Sequence, residues 1–279
     1  MSSFKLETVK ENITKLVTDK KTLKVFGIIG ALYATKLTLE GLCFFYKTFL
    51  RGQHNLVERY GRGSWVLITS PTSLLGRAFA SEFGRLGFNL CLVGENAERL
   101  TELEQSLKKE SPAIQVKLIE QKFENSLEEG FFDALFEQLK GLDVSVLINN
   151  AIFSSALDVV KSRPQLLLSQ SISTLVPTTI LTQRLLTHML AREKRSAIIN
   201  ISSIATVKPK LYSSAFTANM IFDDYLVRAL NHFYGYKIDL LSARSDEVEP
   251  HSDPIETVRS TLRSLGRETI AYSNWKHQQ

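Results

Sequence analysis

Two serine hydroxyls, those of Ser202 and Ser203, follow three isoleucines, Ile198, Ile199 and Ile201, which predict a buried strand. The chain then passes through a loop and enters a predicted helix near Ser213. A hydroxyl at the end of a strand can either bind a reacting oxygen or bond the neighbouring backbone. For Ser203 taken alone, the backbone role is the simpler interpretation.

This strand, serine, loop and helix together resemble the active-site segment of the short-chain dehydrogenase/reductase family. In that family a Tyr lies thirteen residues after the Ser and a Lys four residues after the Tyr, whereas this chain has Phe216 and Met220. The family's Tyr is the general acid, its Lys lowers the pKa of the Tyr, and its Ser steadies the carbonyl, because hydride transfer creates an alkoxide that needs a proton. Phe216 has no proton to give and Met220 has no charge. A lost general acid typically costs about 100- to 10,000-fold in rate.

A third family position also differs. An Asn that holds a proton-relay water in the family is replaced by Thr174, within the helix predicted over residues 165–191. Thr can bond water but cannot reproduce both functions of an amide. A literal Tyr-x-x-x-Lys pair, Tyr272 and Lys276, lies after the last predicted helix with no Ser thirteen residues before it, and we interpret it as chance. We therefore expect no catalytic residues, the degenerate positions being Thr174, Ser203, Phe216 and Met220.

The entry to the domain at Tyr60-Gly61 resembles the hydroxysteroid dehydrogenase and very-long-chain 3-oxoacyl-CoA reductase branch of this family. There, a glycine-rich turn after the first strand cradles a pyrophosphate at the positive end of a helix. Of its three glycines only Gly76 remains. Ser70 replaces the glycine of the tight turn, and Leu74 replaces the glycine that lets phosphate approach. The turn is still expected to form, but a phosphate cradle is not.

Glu95 follows the second predicted strand, where relatives carry an Arg that pairs with the 2′-phosphate of NADP. The reversed charge disfavours NADP, although an acid here can accept a hydrogen bond from the ribose 2′-hydroxyl of NAD. Asn149, Asn150 and Ala151 match three residues of the family's Asn-Asn-Ala-Gly motif, which supports the sheet as well as bordering the nicotinamide pocket. We expect no cofactor, with NAD(H) left possible. The remnants of a cofactor site are Ser70, Leu74, Gly76, Glu95, Asn149 and Asn150.

The net charge of +5 is concentrated at one end of the chain. Residues 1–62 hold eleven Lys and Arg against five Asp and Glu, so the remainder is near −1. Such a surplus suggests anionic lipid or an acidic partner for that end, whereas a nucleic-acid-binding domain would spread its positive charge over a folded face. The five histidines show no metal-ligand spacing, so we expect no metal. Cys43 and Cys91 are interpreted as small hydrophobes in a reducing compartment.

Residues 1–24 alternate apolar and lysine positions, which predicts an amphipathic basic helix on a surface, with a charged tail as the alternative. Residues 25–50 are apolar apart from charges such as Lys36 and Glu40, which lie four residues apart and can pair on one helical face. Three alternatives remain for this run: a transmembrane helix, a helix half-embedded in one leaflet, and a helix packed on the domain. We favour membrane contact, since the run resembles the anchor of membrane-bound hydroxysteroid dehydrogenase-like proteins.

The rest of the chain alternates strand-like and helical stretches, which predicts an α/β, Rossmann-like doubly wound parallel sheet of about seven strands. The predicted organisation is an amphipathic helix at 1–24, an apolar membrane-associating helix and linker at 25–59, and the dehydrogenase fold at 60–279. Inner elements are predicted at 65–69, 89–93, 114–119, 144–148 and 238–241 for strands, and at 97–109, 127–139 and 165–191 for helices.

The resemblance is closest in character to the inactive hydroxysteroid dehydrogenase-like group, in which the catalytic Tyr is also Phe and which is mitochondrial. It implies an inactive, structural or accessory subunit of a membrane complex, with the mitochondrial inner membrane favoured over the endoplasmic reticulum. Membrane lipid and membrane proteins are the expected partners, through residues 1–50. The alternatives are an NAD(H)-binding sensor and an active reductase of lipid or steroid ketones.

Overall fold

The computed structural model describes residues 19–46, 50, 52, 54–150, 161–203, 206, 214–245 and 253–272. The chain divides into two units, Met1–Gly52 and Gln53–Gln279, which are described in turn. The helix predicted over residues 1–24 lies mostly outside the described residues.

The first unit contains helix α1, Lys20–Phe45, whose amino end is capped by the Asp19 side chain. Its 26 residues rise through about 39 Å, more than the ~30 Å hydrocarbon core of a bilayer. None of its residues is buried, and Lys36 Nζ lies 3.8 Å from Glu40 Oε1. Within the described part of the chain, it is the one helix long and apolar enough to cross a membrane. This fits the predicted membrane-associating extension, although the helix starts five residues earlier than predicted.

The second unit is built on a seven-stranded parallel sheet with the strand order β3-β2-β1-β4-β5-β6-β7. This confirms the predicted Rossmann-like fold. In chain order its helices and strands are α2 (Leu56–Tyr60), β1 (Trp65–Thr69), α3 (Leu74–Arg85), β2 (Asn89–Gly94), α4 (Ala97–Glu110), β3 (Val116–Glu120), α5 (Phe131–Leu139), β4 (Val144–Asn149), α6 (Pro164–Ala191), β5 (Ser196–Ser203), α7 (Ser214–Tyr234), β6 (Ile238–Ser245), α8 (Pro254–Ser264) and β7 (Ile270–Tyr272).

Apolar side chains project from both faces of the sheet, so the core consists of two apolar clusters, one on each face. In β1, Val66 and Ile68 belong to one apolar cluster and Leu67 to the other, as the two-residue period of a strand requires. Helices α3, α4 and α8 cover the first cluster, while α5, α6 and α7 cover the second. Because every strand pair in the sheet is parallel, the strands all end at one edge, which we call the carboxyl edge. They all begin at the opposite edge, which we call the amino edge.

Some boundaries differ from those predicted. Helix α5 begins at Phe131 and not at residue 127, because a turn precedes it in which Gly130 has a φ of 78°. Strand β6 continues to Ser245, since it pairs with β5 along its whole length. Residues 56–59, assigned to a linker, lie in helix α2, which packs in the core through Leu56 and Tyr60.

A buried carboxylate, Asp239, holds the amino edge together. Arg59 Nη2 and Arg195 Nη2 donate to its Oδ1 at 2.9 and 2.8 Å, and Tyr60 Oη donates to its Oδ2 at 2.8 Å. Burial alone would raise the pKa of Asp239, but these hydrogen bonds outweigh it and lower the pKa below the usual value. Beside it, the largely buried Arg192 binds Asp143 and the carbonyl oxygen of Tyr60. Helix α2 and the starts of three strands are thereby tied to one another.

Candidate functional site

Phe216 and Met220 lie one turn apart near the start of α7, at the carboxyl edge. Phe216 is half-buried and Met220 is buried, with 2% of its surface exposed. The carbonyl oxygen of Met220 accepts a hydrogen bond from Ser202 Oγ at 3.0 Å, which ties the helix to the end of β5. Neither side chain can donate or accept a proton, so the two positions supply packing without acid–base chemistry.

Ser203 is the last residue of β5, where it pairs with Ser245 of β6. It is buried, and its carbonyl oxygen accepts a hydrogen bond from Thr206 Oγ1 at 2.8 Å. The serine predicted to lie at a strand end therefore belongs to a hydrogen-bonded strand terminus.

Thr174 faces the interior from α6 with 1% of its surface exposed. Its hydroxyl donates to the carbonyl oxygen of Gln170, one turn earlier, at 2.8 Å. Because the single donor of Thr174 is used inside its own helix, this side chain cannot also donate a hydrogen bond to a proton-relay water.

The turn after β1 keeps an unusual shape although its glycine has gone. Ser70 has a φ of 45°, the one positive value at a non-glycine among the described residues, which costs roughly 1–2 kcal/mol. Asn150 stabilises this turn, since its Nδ2 donates to Ser70 O at 3.0 Å and to Ser73 Oγ at 2.9 Å. The Ser70 amide also donates to the carbonyl oxygen of Val93 in β2. Asn150 thus serves the shape of the turn.

Gly76 serves the same turn by allowing close packing. A Cβ at this position would lie 2.6 Å from Ser70 O and 2.8 Å from both Asn150 Nδ2 and Pro71 Cα. These distances are far below van der Waals contact, so a side chain would push the start of α3 away from β1. The retained glycine is therefore required by the scaffold whether or not a ligand binds.

A pyrophosphate at the start of α3 would need free backbone N–H groups and room for its oxygens. The Gly76 amide already donates to Ser73 Oγ at 3.1 Å, and Pro71 has no amide hydrogen. Leu74, at the first helical position, carries an isobutyl group that is 69% exposed. These residues do not fit a pyrophosphate cradle.

Glu95 lies directly after β2 and is exposed, so it sets a negative charge at the carboxyl edge. Its carboxylate would repel a 2′-phosphate and could accept from a ribose hydroxyl. Asn149, at the end of β4, donates through Nδ2 to Thr182 Oγ1 at 3.1 Å and to Asn200 Oδ1 at 2.9 Å. It joins β4, β5 and α6. Ala151 lies outside the described residues.

One group at this edge was not recognised from the sequence. Arg244 of β6 donates to both carboxylate oxygens of Asp224 at 3.0 Å and, through Nη1, to Tyr272 Oη at 2.8 Å. Burial alone would raise the pKa of Asp224, but hydrogen bonds from Arg244 and Ser242 lower it overall. The Tyr272 hydroxyl is thus engaged in a structural contact between β7 and β6. The strand was predicted over 238–241 and Arg244 lies beyond it, so no signal in the sequence marked this residue.

Over the described ranges, no group of three or more His, Cys, Asp or Glu side chains could hold a metal ion. The degenerate positions Ser203, Phe216 and Met220 lie on β5 and the neighbouring α7, while Ser70, Gly76 and Asn150 share the turn after β1. These residues form packing contacts and hydrogen bonds that join neighbouring elements of the fold.

Comparison with known proteins relates this arrangement to a group of reductases and to an inactive relative. The chain is 27% identical to a very-long-chain 3-oxoacyl-CoA reductase of Pyricularia oryzae, over 89% of this chain and 80% of that protein. It is 34% identical to a very-long-chain 3-oxoacyl-CoA reductase-like protein of Arabidopsis thaliana, over 74% and 65%. It is 25% identical to the human inactive hydroxysteroid dehydrogenase-like protein 1, over 77% and 66%. The chain spans about two thirds of the length of these last two proteins.

Solved structures share the fold. A bulky-bulky ketone specific alcohol dehydrogenase from Comamonas testosteroni superposes with a TM-score of 0.65 at 24% identity, over 75% of this chain and 86% of that one. A short-chain dehydrogenase from Sphingobium yanoikuyae in complex with NADPH gives a TM-score of 0.62 at 23% identity, over 75% and 87%. The family model described as short chain dehydrogenase matches residues 64–239. The chain therefore belongs to the short-chain dehydrogenase family, as its active-site segment predicted.

Proposed function

We propose that this protein is a non-catalytic member of the family that is attached to a membrane and acts as a structural or accessory subunit of a larger assembly. The observation that carries the proposal is the environment of Phe216 and Met220. A buried thioether and an aromatic ring occupy the α7 positions where the family resemblance places its proton donor and its ammonium group. A reductase needs a proton for the alkoxide that hydride transfer creates.

The turn after β1 supports the same proposal independently. Its hydrogen bonds keep its shape, yet Pro71, Leu74 and the engaged Gly76 amide leave a poor site for phosphate. The inactive human relative is a precedent for loss of activity within the group. The relatives named as reductases support the competing proposal, in which this chain reduces lipid or steroid ketones with a rebuilt proton donor.

An activity assay tests the proposal directly. The full-length protein, purified in mild detergent, would be mixed with NADH or NADPH and either a very-long-chain 3-oxoacyl-CoA or a steroid ketone. We expect nucleotide oxidation no faster than in the blank. The Pyricularia oryzae reductase, assayed in parallel on the acyl-CoA, is the positive control. Turnover by this chain that depends on substrate would contradict the proposal.

The membrane part rests on α1, which has the length and apolar composition to enter a bilayer and no buried residue. We propose that this helix contacts lipid and membrane-protein subunits, in the mitochondrial inner membrane or else the endoplasmic reticulum. Fractionation of cells expressing the tagged full-length chain would distinguish the two membranes. Extraction in mild detergent followed by native sizing would test the assembly, for which recovery of a free monomer alone would be contrary evidence.

A second candidate function is binding of NAD(H) without turnover. It is favoured by the side-chain oxygens of Asn149 and Asn150, which are buried and have no hydrogen-bond partner among the described residues. Titration with NADH, followed by its fluorescence, separates the candidates, and Glu95→Gln is the matched variant. Saturable binding that weakens in Glu95→Gln would support the sensor. No binding at millimolar NADH would exclude it.

A further inference from the structure

Asp223, in the middle of α7, is a buried acid with an unusual environment. It is 2% exposed, and its Oδ1 has no hydrogen-bond partner within the described part of the chain. Its neighbour Asp224 is equally buried but accepts hydrogen bonds from Ser242 and Arg244. Two adjacent acids on one helix therefore have opposite surroundings.

Neutral polar residues surround Asp223 and form a ring with it, which we call the Asp223 cluster: Asp223, Asn200, Asn149, Thr182 and Thr178. Asn200 Nδ2 donates to the backbone oxygen of Asp223 at 3.2 Å, while Asn200 Oδ1 accepts from Asn149. Asn149 also donates to Thr182, and Thr178 lies one turn before Thr182 on α6. The Thr178 hydroxyl lies beside the Asp223 carboxyl and closes the ring, although the pair falls outside hydrogen-bond geometry.

The cluster contains unsatisfied oxygens on three of its members. Asp223 Oδ1, Asn149 Oδ1 and Thr178 Oγ1 are all buried without a hydrogen-bond partner in the described part of the structure. The two amide groups of Asn149 and Asn200 direct their donors elsewhere in the ring. Thr178 has its own O–H, but the oxygens of Asp223 and Asn149 can only accept while Asp223 is ionised, so acceptor oxygens outnumber the free donors of the cluster.

Among the described residues, no charged side chain contributes to the pKa of Asp223. Helix α6 presents Thr174, Thr178 and Thr182 on its inner face, and β4 and β5 present Asn149 and Asn200. On α7 itself, the Asp224 carboxylate is engaged with Arg244 and Arg228. Burial raises the pKa of Asp223 well above its usual value, and the Thr178 hydroxyl lowers it by less. An isolated carboxylate so placed is expected to take up a proton.

We propose that the Asp223 cluster is an internal proton-binding site and that the Asp223 carboxyl is protonated in the folded protein. A protonated carboxyl is neutral and has one O–H donor, so it removes the buried charge and adds a donor beside the Thr178 hydroxyl. The site joins α6, which carries Thr174, to α7, which carries Phe216 and Met220. It is independent of the proposed function, since it requires neither catalysis nor its loss.

The proposal fixes the sign of a pH dependence. In the unfolded chain an Asp ionises near pH 3.9. Above that pH, and up to the raised pKa of the folded state, the folded protein binds one proton more than the unfolded chain. Stability from this group is therefore fully present below about pH 4 and decreases as the pH rises, with the unfolding constant increasing about tenfold per pH unit.

The test compares the full-length wild type in detergent with Asp223→Asn, which keeps the shape of a protonated carboxyl but cannot ionise. Unfolding constants would be measured between pH 5 and pH 8. We expect the ratio of the wild-type constant to that of Asp223→Asn to rise about tenfold per pH unit until the folded carboxyl ionises. Asp224→Asn is the matched control. Because Asp224 is ionised in both states over this range, the ratio of wild type to Asp224→Asn should not change with pH.

A ratio of wild type to Asp223→Asn that stays constant from pH 5 to pH 8 would overturn the proposal. Infrared spectroscopy provides a second measurement that needs no folded variant. In the wild type at pH 7, the carbonyl stretch of a protonated carboxylic acid should be present in the folded protein and lost on unfolding. Its absence from the folded protein would likewise overturn the proposal.

Discussion

The two edges of the sheet differ in what their polar and apolar side chains contact. At the amino edge, Asp239 is bound by two guanidinium groups and a tyrosine hydroxyl, and Arg192 is bound to Asp143. At the carboxyl edge, where a dehydrogenase carries out its chemistry, Phe216 and Met220 offer only apolar surface. The polar groups that persist there, such as Asn150, bond the scaffold. The polar contacts of Asn150 at the carboxyl edge, like those at the amino edge, therefore support the scaffold.

The largest expected loss of stability comes from a substitution that disrupts the hydrogen bonds of the amino edge. Replacing Asp239 with Ala leaves two guanidinium groups and a buried tyrosine hydroxyl without their acceptor, so we expect a loss of about 3 kcal/mol in the free energy of unfolding. Thermal or denaturant unfolding of the full-length protein in detergent measures it. Asp133→Ala is the matched control, because Asp133 forms an exposed ion pair with Arg184 and should cost less than about 1 kcal/mol.

Acid should weaken the same network. Because the pKa of Asp239 is lowered by its partners, the stability it contributes is present above about pH 4 and is lost as the pH falls through the folded-state pKa. The difference between wild type and Asp239→Asn should therefore shrink on acidification. Equal loss at pH 7 and pH 3 would show that the ion pairs do not stabilise this edge.

At the carboxyl edge, Gly76→Ala tests whether the turn after β1 is still required. The added Cβ would clash with the backbone of Ser70 and Pro71, so we expect a loss of about 1–3 kcal/mol in stability. Leu74→Ala, two residues earlier on the exposed side of the helix, should change stability by less than about 0.5 kcal/mol. Similar unfolding midpoints for the two variants would mean that the turn has relaxed.

The smallest expected effect is that of Phe216→Tyr. The ring is half-buried, so the added hydroxyl should change the free energy of unfolding by less than about 1 kcal/mol. We also expect no NADH oxidation, because Met220 and the turn after β1 are unchanged. Unfolding curves and the reductase assay measure the two quantities. NADH oxidation gained from this single change would show that the other residues of the carboxyl edge can still bind a nucleotide and support reduction.

Much of the fold could be predicted because its signals are local. Strand β1 was placed at its observed residues from an apolar run with turn residues after it, and β4 ends within one residue of its prediction. The start of α5 was misplaced because Leu127 continues the apolar period of the helix, although the chain turns at Gly130. Local periodicity does not register such a turn.

The polar networks could not be predicted, since they join residues that are distant in sequence. Arg59 and Asp239 are 180 positions apart, and nothing around either residue indicates the other. Asp223 and Asp224 are adjacent and identical in type, yet one is bound by arginine and the other faces threonine and asparagine. Only the position of α7 on the sheet distinguishes them. The degenerate site positions Thr174, Phe216 and Met220 were found by family spacing, and their role stays a prediction.

Helix α2 is five residues long, and a single turn of helix is not stable alone in water. Side chains from elsewhere in the chain stabilise it: Lys194 Nζ donates to Glu58 O at 2.8 Å, and Arg192 Nη2 donates to Tyr60 O. Its order therefore depends on side chains that follow it by more than 130 positions. During synthesis this segment leaves the ribosome before Arg192 and Lys194 have been made. We therefore expect it to stay irregular at first and to become helical only after α6 and β5 have joined the sheet.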